Sequence, residues 1–151
     1  MATALLDVID ALLAHLPKIA GCAVHDGYPT SLDPVAYVAI GVDDPGSTSR
    51  ADSADATQEW AHASRRAADE SGSVRVAIYD FDGGGVLSAA RQRAGRVMDA
   101  IDDWLRSQSP PFGLPSIWSV HIADVRLYQD QTKDVGAEVL IVLTIAYQAR
   151  I

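Results

Sequence analysis

GAEVLIVLTIAYQAR, residues 136–150, is the stretch on which the fold turns. From Val139 to Tyr147 every residue except Thr144 is apolar, and β-branched side chains recur along it. Such residues suit a pleated strand. A strand with one wet face alternates apolar and polar positions, whereas this one is apolar on both. It is therefore expected to run over 137–150 in the middle of a sheet, with a neighbour on each side. A membrane helix needs about 20 apolar residues, and this run is less than half of that.

Working outward, the polar link QDQTKDVG, 129–136, joins it to a strand expected over 117–127, which makes a hairpin. Further back, Leu87, Ala90, Ala94, Val97, Ile101 and Trp104 share one face of a helix over 87–107. Arg91, Arg93, Arg96, Asp99, Asp102 and Asp103 lie mostly off that face, and Pro110 and Pro111 prevent continuation. Ahead of this helix Val74, Val76 and Ile78 alternate with Arg75, Ala77 and Tyr79, the period of a half-buried strand.

At the other end, Leu5, Ile9, Leu12 and Leu16 form an amphipathic helix, widened by Leu6 and Leu13 and expected to stop at Pro17. A loop over 22–34, with at most a short strand before it, leads to a Val-, Ile- and Tyr-rich strand over 35–42. Residues 43–57, DDPGSTSRADSADAT, hold no large apolar side chain and are expected to form a mobile loop. A strand over 57–64 and a polar turn over 65–73 follow. The order is helix, strands, helix, strands. It predicts one α+β domain over 1–151, a largely antiparallel or mixed sheet of about five strands with two helices on one face.

Composition narrows the function. The chain has 151 residues, 20 acidic and 12 basic, for a formal charge of −8. An acidic protein has no general attraction for phosphate, which disfavours nucleic-acid recognition. One cysteine, Cys22, cannot form an intrachain disulfide or a cysteine-rich zinc site. The first 18 residues carry Asp7 and Asp10 and no early Lys or Arg, unlike a signal peptide. A soluble, non-membrane chain is expected. His15, His25, His62 and His121 fall on different elements without metal-ligand spacing. No Gly-x-Ser-x-Gly, Walker loop or GxGxxG is present.

The one catalytic temptation is VAIYDFDGGG, 76–85. A strand ending in Asp-x-Asp-Gly resembles the first motif of haloacid-dehalogenase-type phosphatases, with Asp80 as nucleophile and Asp82 as acid and base beside magnesium. That family continues with Thr or Val where Gly84 stands here, and Lys133 is the only lysine afterwards. A calcium loop also fails, because its twelfth position would be Arg91 instead of Glu. The preferred reading is a Gly-rich turn with Asp at the start of a helix, where the dipole favours it. Trp60, Trp104 and Trp118 are expected as core anchors, and Arg91, Arg93, Arg96 and Arg106 as part of a solvated face. No catalytic residue, cofactor or metal is expected.

The chain as a whole resembles a known family. DGYP follows the first helix; then come a strand ending in Asp-Asp-Pro, a polar loop and a Gln-x-Trp strand. Glu70 precedes Ser-Gly-Ser-Val-Arg-Val, an Asp-Gly turn opens AARQRAGRVMDAIDDWL, and GAEVLIVLTIAYQAR closes the chain. This pattern resembles the tail terminator, or tail-completion, proteins of long-tailed phages infecting actinobacteria. The resemblance implies a non-catalytic virion protein, assembled in the host cytoplasm, whose hexameric ring ends the tail tube. The ring would join tube protein to head connector, and DNA would pass its lumen without specific binding. Asp43, Asp44, Arg50, Asp52 and Asp55, on the polar loop, are the expected interface residues.

Overall fold

The computed structural model describes residues 3–30, 36–46, 52–61, 67–134 and 136–151. Its elements are α1 (Leu5–Ala20), β1 (Ala23–Asp26), β2 (Tyr37–Ile40), β3 (Ala54–Trp60), β4 (Ala68–Asp82), α2 (Leu87–Ser107), a 3-10 turn (Pro111–Gly113), β5 (Ile117–Thr132) and β6 (Gly136–Arg150). The strands form one six-stranded mixed sheet in the order β1-β2-β4-β6-β5, with β3 on β4 beyond this path. β1 and β2 are parallel; every other pair is antiparallel. This is the expected α+β fold, and β6 lies inside the sheet between β4 and β5.

One parity rule places the core. On β4 the even positions Val74, Val76 and Ile78 face the helices, and register puts Ile145, Leu143 and Ile141 of β6 beside them. Val8, Leu12 and Leu16 of α1, with Ala90, Ala94, Ile101 and Leu105 of α2, complete that cluster. Both helices therefore cover one face. The small side chains of Ala90 and Ala94 let α2 lie close to β4 and β6. Apolar residues on the other face of β6 meet a smaller cluster of Ala39, Val42 and Ala77, with Tyr37 and Leu140 packed against it.

Several local expectations need correction. α1 runs through Pro17 to Ala20 and ends at Gly21 in the left-handed conformation, φ 66°. A proline in the last turn removes one hydrogen bond near an end that is already short of partners, while Ile19 and Ala20 still pack on the core. Leu6, counted into the apolar stripe, is 63% exposed. β3 starts at Ala54, so residues 54–57 are strand and not loop, and residues 68–73 are strand and not turn.

The polar stretch before Val74 is strand because its polar groups are spent inside the protein. Glu70 is 1% exposed. Its carboxylate accepts from the Tyr147 hydroxyl at 2.7 Å, the Gln58 amide at 2.7 Å and the Ala4 N–H at 3.0 Å. The last bond satisfies a donor at the start of α1, which has no side-chain cap of its own. Gly72 leaves room for the Tyr147 ring, which a Cβ there would strike. Burial pushes the Glu70 carboxyl up, but hydrogen bonds from Tyr147, Gln58, Thr3 and Ala4 outweigh it and hold it below the ordinary glutamate range.

Two outcomes follow from this packing. Leu143→Asp puts an unpaired charge at a fully buried position and should cost several kcal/mol, out of a typical total of about 5–15. The variant should be insoluble or lose its cooperative melt by circular dichroism; a normal melt would place β6 outside the core. For Glu70, a folded pKa below the unfolded one means the carboxylate contributes fully above about pH 4.3 and loses its contribution as pH falls below that. The stability gap between wild type and Glu70→Gln in urea titrations should be widest at neutral pH and narrow in acid. A gap independent of pH would contradict the assignment.

Candidate assembly surface

On the face away from the helices, the chain leaving β2 turns at Gly41, φ 70°, and crosses the sheet. The Gly41 and Val42 N–H groups donate to the Arg75 carbonyl. Asp44, 6% exposed, then reaches β5: its carboxylate takes Arg126 Nη1 at 2.5 Å and the Tyr128 hydroxyl at 2.6 Å. The Gly46 N–H donates to the same carboxylate at 2.9 Å, and any Cβ at Gly46 would strike Tyr128. The Tyr28 hydroxyl donates to the Asp43 carbonyl at 3.2 Å. β4 and β6 lie between β2 and β5, so this strap spans the face. The Tyr128 bond, the Gly46 N–H and Arg126 together hold the Asp44 carboxyl below the usual aspartate range against the opposing effect of burial. Burial first, then Asp43, pushes the Tyr28 hydroxyl up to about 12.

The five residues expected at an interface are thus placed differently from one another. Asp44 is committed to its own chain. Asp43 is exposed beside it, Asp52 is exposed before β3, and Asp55 on β3 accepts from Ser73 Oγ at 2.5 Å. Arg50 lies outside the described residues, as does His62. The loop expected over 43–57 is pinned at 43–46 and is strand from 54 onward.

Asp80 and Asp82 do come together, around Arg93. Arg93 Nε donates to Asp80 Oδ1 at 2.9 Å, and Nη2 donates to the Phe81 carbonyl at 3.1 Å and Asp82 Oδ1 at 3.4 Å. The other Asp82 oxygen accepts the Val86 N–H at 2.8 Å, at the entrance to α2. Asp80 is 6% exposed. A nucleophile and its acid partner must both open onto a substrate, but here both carboxylates turn to one guanidinium that ties α2 to the end of β4. The Asp80 contact raises the Arg93 pKa further, keeping the fork charged. Among the described residues no group of three or more His, Cys, Asp or Glu side chains is placed to hold a metal.

What the sequence reading missed lies on the sheet edges. Trp104 is half-buried against Phe112 and His15, as a core anchor should be. Trp60 and Trp118 are instead 70% and 62% exposed. Trp60 ends β3, whose other residues, ADATQE, include no large apolar side chain; that polarity is the signal that its tryptophan has no apolar surroundings. Trp118 falls at a bulge in the β5–β6 ladder. Along β5, Val125 and Leu127 are also exposed. Beside them a groove of about 470 Å³ runs between α2 and β5, lined by Met98, Leu105, Val120, Ile122 and Val125, with Asp99 and Asp102 on its rim. Arg106 pairs with Asp102 at 2.9 Å.

The sequence matches no protein-family model and no curated protein. The fold is similar to that of a chain in the virion of a native gene transfer agent particle, with a TM-score of 0.52 at 16% identity. That alignment covers 95% of this chain and 92% of the other, so the likeness is one of whole folds.

With its carboxylates held by Arg93, the Asp80–Asp82 turn should be structural. Purified chain with magnesium is expected not to hydrolyse a generic aryl phosphate. Turnover that disappears in Asp80→Asn would overthrow this reading.

Proposed function

We propose that this chain is a structural subunit of a phage or phage-like particle, a tail-completion protein. Its ring would end the tail tube and join it to the head connector. The observation that carries the reading is the agreement of its whole fold with a chain from a gene transfer agent virion. Such agreement speaks to architecture, and the residues supply the rest. The carboxylate pair that looked catalytic is engaged by Arg93. Four of the exposed large apolar side chains, Trp60, Trp118, Val125 and Leu127, lie on edge strands, which offer backbone groups for another chain to pair with.

The charge suits a conduit. A hexamer at −8 per subunit would carry about −48, and DNA sliding through a like-charged lumen finds no lysine or arginine lining to hold its phosphates. The exposed Asp43, Asp52 and Asp55, with Arg50, would serve as rim contacts to a neighbouring subunit or tube protein, setting register more than affinity. The protein would then reside in the virion at the head-proximal end of the tail.

Deleting the gene should leave filled heads and separate tails of irregular length in negative-stain images of lysates, and supplying the chain in trans should restore joined particles. Infectious, normally tailed particles from the deletion would refute a tail-completion role.

A further inference from the structure

Of the three edge strands, β1, β3 and β5, the last two each carry an exposed tryptophan, and both tryptophans sit at the same end. Trp60 pairs with Ala68 at the start of β4, and register through β4 and β6 places Trp118 beside Gln148 and Ala149, level with Ser71 and Glu70. β3 is the outer neighbour of this half of β4, and β5 is the outer neighbour of β6. An edge strand offers a row of backbone donors and acceptors that a further strand can use. β5 antiparallels β6, β6 antiparallels β4, and β4 antiparallels β3. A β3 laid beside β5 with the two sheets in the same sense would therefore pair antiparallel.

The side chains agree with the backbone. Gln58 of β3 points to the helix side, where it donates to Glu70, and by the strand alternation Trp60 points the same way. The groove beside β5 is on that side too, between α2 and Val120, Ile122 and Val125. The groove is about 470 Å³ and open, with an apolar wall against which an indole can bury its roughly 150–250 Å² of surface.

We infer that β3 of a second copy of this chain adds antiparallel to the β5 edge, seating Trp60 in the groove between α2 and β5. The contact is heterologous, since one edge meets a different edge, and such a contact builds a ring when its rotation per subunit divides a full turn. It rests on the ring-subunit reading and names the surfaces that build the ring.

The test uses the full chain with Trp60→Lys or Val125→Lys, both at exposed positions, with melting curves to verify folding and light scattering on a sizing column to read mass. Wild type should assemble at high concentration, and each variant alone should remain monomeric with an unchanged melt. Each variant keeps one intact edge, so an equimolar mixture should give a 1:1 heterodimer and nothing larger. Wild type that stays monomeric at its highest soluble concentration would overturn the ring reading and this contact together. Closed rings from either variant alone, or a mixture that stays monomeric while wild type forms rings, would overturn only the contact. Variant rings that assemble normally but no longer retain tube protein would give the groove to a different partner, which also overturns it.

Discussion

β4 and β6 pair without irregularity from Asp69 opposite Arg150 to Asp82 opposite Ala137, and the other elements take their places from that ladder. Its helix-facing side supplies the broad apolar floor on which both helices sit. Its length also decides what hangs at each margin. β2 and β3 share the far side of β4 end to end, while β5 runs along the whole of β6. A slip of one residue would turn Val74, Val76 and Ile78 outward and bring Arg75 and Tyr79 into the core, so burial holds the register.

Three polar fastenings hold the ladder to its surroundings, each using a carboxylate that looks like surface chemistry in the sequence. Glu70 binds α1, β3 and β6 through Ala4, Gln58 and Tyr147. Asp44 ties the chain after β2 to β5 through Arg126 and Tyr128. Asp80 and Asp82 tie α2 to β4 through Arg93. A buried carboxylate is costly without partners; Glu70 and Asp44 have three each, and Asp80 has the Arg93 guanidinium. Several of the acidic residues are therefore structural, and a smaller share of the formal charge is free at the surface.

The edges contrast with this closed interior. Trp60, Trp118, Val125 and Leu127 are exposed where backbone groups are also open to pairing. Natural sheets usually blunt such edges with charge or proline, and β5 carries Asp124, Arg126 and Asp130, yet it keeps Val125 and Leu127 exposed as well. A surface of this kind fits a protein that completes itself in an assembly.

The sequence by itself determined the class of the fold, the central place of β6, the extent of α2 and the pairing of the two helices on one face. Those features rest on periodicity, and a two- or 3.6-residue repeat of apolar side chains is written in the chain. It left illegible whatever depends on a partner distant in sequence. ADESGS reads as a turn because nothing local shows that Glu70 will meet Tyr147, 77 residues away, or that Gly72 makes room for its ring. Asp44 reads as an exposed loop residue because Arg126 and Tyr128 are 82 and 84 residues further on. Trp60 and Trp118 read as core residues because large aromatics usually are, and only the strand order reveals that both lie on edges. Composition and spacing record what each segment prefers; the long-range pairing of β4 with β6 decides which of those preferences are satisfied inside the chain and which are left for another.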